Sequence, residues 1–337
     1  MQKKINIKDI AREAGVAVST ASMALSGNEK IKLKTRQRLR EVAERLGYVP
    51  NMAARNLVGG KTFFIGMVIM PSQNNIYLEE AIAVQRYLIA HEYKFKLFIA
   101  DINNKEEQDF LLQSIRGIVD GIICYPVPPA LEQQFIRKLQ NYGIKCVFTK
   151  FIKNTAMDWV SADYELGAYL GTNYLLKKGH RRIATFTSGD DQRGFPERAS
   201  GVRRALEEYN LEFQPFVITP EMAANMTKFS GGYDLAKEML SAEIKPTALF
   251  MRSDFLALGA IKAATDMNLR IGHDIDIVGF DNIEFGAFSV PALTTIKYDR
   301  DEKAKMMAEL LLRRVKGEEF PPKNIFIKPE LVIRESA

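Results

Sequence analysis

The sequence predicts an N-terminal all-α head followed by a larger α/β body that contains two doubly wound parallel-sheet subdomains. Two observations lead to this fold class. Short helical patterns fill the first 50 residues, and from residue 62 onward apolar strand-like runs alternate with helical patterns. The charge divides in the same way: residues 1–60 carry 12 Lys and Arg against 5 Asp and Glu, whereas the other 277 residues carry 35 against 36. A basic head on a neutral body indicates that a polyanion binds at one end.

Three short helical patterns follow one another in the head, residues 1–50. In the first, apolar residues recur at i, i+3, i+4 and i+7 between the candidate N-cap Asn6 and the candidate stop Gly15. The second has a narrow apolar stripe of Ala21, Ala24 and Leu25, and the third is contained in "KTRQRLREVAERLGY". Only a few residues join the first two helices. This arrangement is typical of a helix-turn-helix, whose second helix enters the major groove of DNA.

The second predicted helix has a small and nearly uncharged outer face, composed of Val18, Ser19, Ser22, Met23 and Ser26. A recognition helix lies close to base edges, where serine can bond to several bases and apolar groups can touch a thymine methyl. Cations belong around such a helix, where the phosphates run. The composition of this face therefore predicts binding to double-stranded DNA with sequence readout.

Two segments of the head resemble the DNA-binding domain of the lactose/galactose repressor (LacI/GalR) family, namely "IKDIAREAGVAVSTASMALSG" and "TRQRLREVAERLGYVPNMAARNL". A looser resemblance continues to the C-terminus. It implies a transcriptional regulator of carbohydrate metabolism genes, most often a repressor, that binds a roughly palindromic operator as a homodimer. It also implies control by a small sugar-like effector, and it leaves open whether that effector induces or co-represses.

The resemblance assigns the DNA contacts residue by residue. Base contacts fall on Val18, Ser19, Met23 and Leu57, and backbone contacts on Thr20, Ser22, Ser26, Thr35, Tyr48, Asn51 and Arg55. Two positions depart from the family pattern. Ala17 stands where the family usually has a serine N-cap, which costs about 1 kcal/mol of helix stability. Met23 replaces a common arginine, which removes a guanine contact worth about 1–3 kcal/mol. We therefore expect an unusual operator and weaker direct readout.

The linker, residues 51–61, follows in "PNMAARNLVGGKT". Its pattern predicts one short helix from Asn51 to about Val58, which is too short to be stable alone and would fold on binding DNA. The family resemblance implies that this hinge helix pairs with that of a second copy and that Leu57 wedges between base steps in the minor groove. The alternative is a passive tether.

The body contains strand candidates separated by helical patterns at 76–91, 163–178, 195–210 and 253–268, which predicts parallel sheets covered on both faces. This alternation resembles the type I periplasmic-binding-protein fold that the family uses. The resemblance places an N-terminal effector subdomain at 62–162 plus 297–325, and a C-terminal one at 163–296 plus 326–337. The strand candidates are "FFIGMVIM", "FKLFIA", "GIICY", "CVFT", "WVSA", "RIATF", "TALFM" and "IDIVGF".

Ligands of open α/β sheets bind beyond the carboxyl ends of the strands, and two facing halves put those ends across one cleft. By resemblance, the effector contacts fall on Asn75, Tyr77, Lys150, Arg198, Ser253, Asp254, Asp281 and Tyr298. Structural roles stay open for four of them. Asp254 and Asp281 could be helix N-caps, Arg198 could form a surface ion pair, and Tyr77 could be a core residue.

Lys150 departs from the family, in which many members have an aspartate at this place. With Arg198 nearby, it favours an anionic ligand, such as an acidic or phosphorylated sugar. The rival interpretation is that Lys150 pairs with Asp254 or Asp281. The aromatic residue that usually precedes "SGGY" is also displaced: Met226 or Thr227 stands at that place and Phe229 is close by.

Neither catalysis nor a metal or cofactor is expected. The sequence has no glycine-rich phosphate loop and no Gly-x-Ser-x-Gly motif, and its three histidines lie far apart. The two cysteines, Cys124 and Cys146, lie in apolar runs typical of buried thiols.

With no secretory signal and no apolar run of about 20 residues, we expect a cytoplasmic protein with no membrane partner. A C-terminus without leucine heptads favours a dimer over a tetramer. A secreted solute-binding protein and an architectural DNA-binding protein are the alternatives. The basic head argues against the first, and the complete ligand cleft against the second.

Overall fold

A computed structural model divides the chain into two compact units, Met1–Thr62 and Phe63–Ala337. The structure describes residues 5–25, 30–48, 62–71, 76–102, 104–125, 129–152, 156–187, 196–219, 222, 225–226 and 228–337. The helices of the described residues are α1 (Ile7–Glu13), α2 (Val18–Leu25), α3 (Leu33–Arg45), α4 (Ile76–Ala90), α5 (Lys105–Ile115), α6 (Pro129–Asn141), α7 (Tyr164–Lys177), α8 (Pro196–Glu207), α9 (Phe229–Leu240), α10 (Asp254–Asp266), α11 (Glu284–Phe288) and α12 (Arg300–Lys316).

The strands begin in the second unit and alternate with its helices. They are β1 (Phe64–Ile69), β2 (Lys94–Ile99), β3 (Gly121–Cys124), β4 (Lys145–Phe148), β5 (Asp158–Ala162), β6 (Ile183–Ala184), β7 (Phe186–Thr187), β8 (Phe216–Val217), β9 (Ala248–Phe250), β10 (Asp276–Phe280), β11 (Thr294–Tyr298), β12 (Asn324–Ile327) and β13 (Pro329–Val332).

The head consists of α1, α2 and α3 around a small apolar core. Asn6 caps α1: its side chain accepts bonds from two backbone N–H groups, and Asp9 bonds back to the Asn6 N–H at 3.0 Å. Gly15 has a φ of +62°, a left-handed conformation that favours glycine and that ends α1 as predicted. Ile10 and Leu39 lie in the core with no exposed surface, and the small side chains of α2 pack against them.

Two main sheets form the body. The first has the strand order β12-β5-β4-β3-β1-β2, with all strands parallel. The second has the order β13-β11-β10-β9-β6, in which only β13 runs antiparallel to its neighbour. β7 and β8 form a separate, short parallel pair. The predicted fold class, a helical head with an α/β body of two parallel sheets, is confirmed.

The chain passes between the two sheets three times, after Ala162, after Tyr298 and after Ile327. The last two passages lie two residues beyond the predicted boundaries at 296 and 325, because β11 and β12 continue to pair with their own sheets up to those residues. The division of the body into two subdomains with these boundaries stays a prediction.

Close helix packing places the start of α10. A Cβ atom on Gly232 of α9 would lie 2.2 Å from the carbonyl oxygen of Leu256, and one on Gly259 of α10 would lie 2.1 Å from that of Phe229. Only glycine allows this backbone approach. The contact holds the first turn of α10 at the carboxyl end of β9.

An aromatic cluster lies at the β12 edge of the first sheet. Trp159 of β5 is buried, and the rings of Phe151 and Phe326 lie 5.4 and 4.8 Å from it, both edge-on. Phe151 comes directly after Lys150 in the chain. The cluster therefore anchors the segment that carries that lysine.

Candidate functional site

The predicted recognition helix α2 exposes one polar face. Val18 is 42% exposed, Ser19 and Ser22 are exposed, and Thr20 and Met23 are half-buried. The opposite face is fully buried against the head core. The surface of α2 therefore has the small hydroxyl and apolar groups that suit contact with base edges.

The other predicted DNA contacts divide into two groups. Thr35, at the start of α3, and Tyr48, beyond its end, are half-buried, and Tyr48 packs on the head core. The remaining ones, Leu57, Ser26, Asn51 and Arg55, lie outside the described residues, as does the whole predicted hinge helix.

A pocket lies in the body, and its empty space is about 540 Å³ when the open solvent at its mouth is included. Six of the eight predicted effector residues line it. Asn75 lies outside the described residues, and Asp254 is absent from the lining. The lining residues are Ile76, Tyr77, Tyr125, Lys150, Tyr164, Arg198, Met226, Arg252, Ser253, Leu256, Asp281 and Tyr298.

Strand ends of both sheets supply most of the polar lining. Tyr125 directly follows β3, and Lys150 lies two residues beyond the end of β4. Arg252 comes shortly after β9, Asp281 directly after β10, and Tyr298 is the last residue of β11. Because the carboxyl ends of parallel strands meet at one edge of a sheet, these side chains converge on the same space.

Three cations and one carboxylate are among the described residues that line the pocket. Burial, followed by the positive charge of Arg198, lowers the pKa of Lys150 to about 7. The same two causes lower the pKa of Arg252 to about 9. Burial raises the pKa of Asp281 to about 6, although the nearby cations act in the opposite direction. The pocket thus holds several charges that lack full solvation, and a bound counter-charge would stabilise them.

Arg198 lies in an aromatic and acidic environment. It is 6% exposed, and its guanidinium carbon is 4.1 Å from the ring centroid of Tyr164 and 4.4 Å from that of Phe280. Its Nη2 is 4.0 Å from the Asp281 carboxylate. The rings fix the plane of the guanidinium, which is suited to bidentate binding of an anion. A surface ion pair, the structural alternative for this arginine, does not fit its burial.

Asp254 is a correction to the predicted site. Its side chain is fully buried and accepts hydrogen bonds from the backbone N–H of Ile283, at 2.8 Å, and from the hydroxyl of Thr295. Burial raises its pKa well above the usual range. The N-cap interpretation is also wrong for Asp254, because Ser253 caps α10 through a bond from the Leu256 N–H. The sequence places Asp254 at the strand end but does not reveal that its side chain faces the core.

The loop after β10 holds Asp281 in a strained conformation. Asp281 and Asn282 have φ values of 109° and 51°, which non-glycine residues rarely adopt. Asp254 bonds the next backbone N–H, Arg300 donates to the carbonyl oxygen of Asp281, and Arg334 donates to the Asn282 side chain at 2.7 Å. These bonds position the Asp281 carboxylate, so it is not an N-cap of α11, which begins after Ile283.

Several lining residues were missed from the sequence. Tyr125 ends the apolar run "GIICY", and Tyr164 and Arg252 come within two residues of the ends of "WVSA" and "TALFM". An inspection of every residue at the carboxyl end of a predicted strand would therefore have found them. Of the candidates for the displaced aromatic, Met226 lines the pocket, and Phe229 instead stacks on a neighbouring ring at 4.5 Å. Thr227 lies outside the described residues. Lys150 has its ammonium 5.5 Å from the Tyr125 ring centroid and 5.7 Å from that of Tyr164.

Other chemistry is not apparent in the part of the chain that the structure describes. No group of three or more acidic, histidine or cysteine side chains could hold a metal ion there. None of the described helices combines the length and the apolar character that crossing a membrane requires. Both cysteines are buried and unbridged, as expected.

Comparison with known proteins agrees with both units. Residues 6–51 match the family of bacterial regulatory proteins named lacI, and residues 172–337 match a periplasmic binding protein-like domain. Catabolite control protein A of Priestia megaterium is 29% identical over 335 residues, covering 98% of this chain and 99% of its own. The transcriptional repressor PurR of Aliivibrio salmonicida is 30% identical over 338 residues, covering 98% of both.

Solved structures show the same fold. The lac repressor bound to ONPG superposes with a TM-score of 0.86 at 23% identity, covering 99% of this chain and 100% of its own. The lac repressor dimer bound to operator and the anti-inducer ONPF gives 0.85, covering 99% of both. A complex of the regulator CelR with cellobiose gives 0.71, again at 23% identity and covering 99% and 100%.

Proposed function

Because the chain belongs to the LacI family, as a DNA-binding transcriptional repressor with a ligand-binding body, we propose that it controls genes of carbohydrate metabolism in response to an anionic sugar derivative. The observation that carries the ligand class is that three cationic side chains, Lys150, Arg198 and Arg252, are among the described residues that line the pocket. The relatives are transcriptional regulators, and the expectation that this chain is not an enzyme is confirmed. A DNA-binding regulator of this kind would work in the cytoplasm.

The DNA partner is a roughly palindromic, double-stranded operator bound by two copies of the chain. Supporting this, one head presents a single short recognition helix, which buries too little DNA for a specific site on its own. The exposed groups of α2, Val18 and Ser19 above all, would contact the bases, and the cations of α3 would contact phosphates. Leu57 of the linker keeps its proposed role as a minor-groove wedge.

An apolar face of the body is proposed to pair the two copies. On α4, Leu78, Ile82 and Ile89 fall on one side of the helix and are 47%, 43% and 62% exposed. Ile99 of β2, the edge strand of the first sheet, is 66% exposed. Exposed apolar surface of this kind marks an interface, and a second copy fits because the lac repressor of the same fold is a dimer.

The pocket offers different groups to different parts of the proposed ligand. Cationic donors favour a carboxylate or phosphate through charge-assisted hydrogen bonds. Asp281 and the hydroxyl of Ser253 can bond sugar hydroxyls, and the tyrosine rings can pack on the apolar face of a sugar ring. A neutral sugar is the competing candidate. In that case Lys150 would serve as an internal partner of Asp281, whose pKa its charge lowers.

A thermal-shift screen tests this ligand class. Glucose and galactose would be compared with glucuronate, gluconate and glucose 6-phosphate. A ligand that binds only the folded chain adds about 2.7 kcal/mol at 100 times its Kd, which gives a clear shift. Lys150→Ala should abolish the shift, whereas Lys262→Ala, which removes an exposed lysine from α10, should preserve it. A shift with a neutral sugar alone would replace the anionic assignment.

A further inference from the structure

A fully buried ion pair lies behind the pocket and is not part of its lining. Lys303 of α12 donates to Glu80 of α4, with the Lys303 Nζ 2.7 Å from the Glu80 Oε1, and neither side chain has exposed surface. The sequence gives no sign of this pair, because 223 residues separate its members. Buried ion pairs are often no better for stability than apolar residues of similar volume, so the pair calls for another explanation.

Two tyrosines of the pocket wall converge on the same carboxylate. The Tyr125 hydroxyl donates to Glu80 Oε2 at 2.9 Å, and the Tyr298 hydroxyl donates to Glu80 Oε1 at 3.0 Å. We refer to Glu80, Tyr125, Tyr298 and Lys303 as the Glu80 cluster. Since a phenol has one hydroxyl hydrogen, both hydrogens are committed to Glu80. The ligand therefore meets these tyrosines as fixed rings and cannot accept a hydrogen bond from them.

The Glu80 cluster also spans the two sheets of the body. Tyr125 follows β3 of the first sheet, and α4 and α12 pack on each other, with α12 lying against that sheet. Tyr298 ends β11 of the second sheet, at the second passage of the chain between the sheets. The bond from Tyr298 to Glu80 thus joins a strand of the second sheet to α4, a helix that packs on the first sheet. It lies next to the space where the ligand would bind.

We propose that Glu80 is a positioning residue for the effector pocket: by holding one tyrosine from each sheet on a single carboxylate, it sets the spacing at which the two halves bind ligand together. This inference rests on the proposed function of the pocket as the effector site. Lys303 donates to the same carboxylate through a charge-assisted hydrogen bond and so helps to fix the position of the acceptor for both hydroxyls.

Two double variants separate this role from stability. Glu80→Gln with Lys303→Met removes both charges but keeps a side-chain oxygen that can accept from the tyrosines. Glu80→Leu with Lys303→Met removes the same charges and the acceptor. Both have neutral cores of similar volume, so their melting temperatures should be close. Affinity for glucuronate, gluconate and glucose 6-phosphate is measured by calorimetry on the full chain.

We expect the leucine double variant to bind about tenfold more weakly than the glutamine one. Equal affinity in the two double variants, whether high or low, overturns the positioning role. A wild-type chain that binds none of the three probes overturns the proposed function itself, and this inference with it.

A single substitution decides the matter if the double variants fail to fold. Tyr298→Phe retains the ion pair and loses only the bond between the sheets, and it should weaken binding of the same probes about tenfold. The matched control is Tyr169→Phe, which removes a solvent-exposed hydrogen bond from Tyr169 of α7 to Glu208, the residue directly after α8. The control should bind as the wild type does. A Tyr298→Phe variant with wild-type affinity overturns the proposal.

Discussion

The head and the body place their cations in opposite ways. The head presents a neutral helix face, with Val18 and Ser19 exposed, and keeps its cations on the solvent-exposed surface around it. The body places its cations inside a pocket, where burial shifts their pKa values. Exposed cations suit a polyanion with many phosphates, each contributing a little, whereas buried cations suit one small anion that each of them must contact.

The largest effect is expected for Arg198→Ala. This change removes the buried guanidinium that both aromatic rings and Asp281 hold in place. Binding of an anionic sugar should weaken about 100-fold, because truncating a buried charged partner leaves other charges unpaired. The change in operator affinity that the ligand causes should be lost as well. Gel-shift titration with and without ligand measures this effect.

Arg198→Lys is the informative companion, since it keeps the charge and loses the planar fork. If the alanine variant retained the full ligand response, the buried cations of the pocket would not be the groups that bind the anion.

The next effect concerns the linker. Leu57→Ala should weaken specific operator binding about tenfold and reduce DNA bending, because an apolar wedge between base steps is lost. Ligand affinity of the body should be unchanged. Circular-permutation bending assays compare the variant with the wild type. An unaltered bend angle would mean that Leu57 does not act as a wedge.

A smaller effect is expected in the pH dependence of ligand binding by the body. Lys150 has a pKa of about 7 and is charged below that pH and neutral above it, so an anion binds best at low pH. Affinity for gluconate, whose carboxylate stays ionised, should fall about tenfold from pH 6 to pH 8. In Lys150→Met the fall between pH 7 and 8 should disappear. A wild-type affinity that is flat across this range would contradict a titrating lysine at the site.

The smallest effects are expected in the head, where single contacts contribute little. Arg38→Ala, which removes an exposed cation of α3, should weaken all DNA sequences alike and lower the salt slope by about 1. Val18→Ala should instead change the preference at one base pair by about 1 kcal/mol. Binding to an operator and to scrambled DNA at several salt concentrations distinguishes the two. Equal behaviour of the two variants would mean that α2 does not read bases.

Most of the features that could be predicted from the sequence depend on local patterns. The apolar periodicity of the head and the N-cap Asn6 predicted α1 to α3 closely, because the signals lie within a few residues of each other. Lys150 and Asp281 could be predicted to line the pocket because they come just after strands. Residues that follow the strands of a parallel sheet lie at its carboxyl edge, where ligands bind.

The features that could not be predicted from the sequence depend on contacts between residues far apart in the chain. The end of β11 at Tyr298 is one example, because nothing in "TTIKYD" marks the residue at which pairing with the second sheet stops. Asp254 was assigned to the pocket because a position at a helix start does not reveal which side the carboxylate faces. Glu80 and Lys303 read as ordinary helix charges, and only the packing of α4 on α12 makes them a buried pair.

The aromatic cluster at the edge of the first sheet has a practical consequence. Trp159 is the single tryptophan of the chain. Its ring touches that of Phe151, the residue next to Lys150. A ligand that draws the lysine toward its anionic group would shift Phe151 against the indole. The proposed anion site therefore predicts that the emission of this one native fluorophore changes when the pocket is occupied, so that binding could be followed in real time without any label.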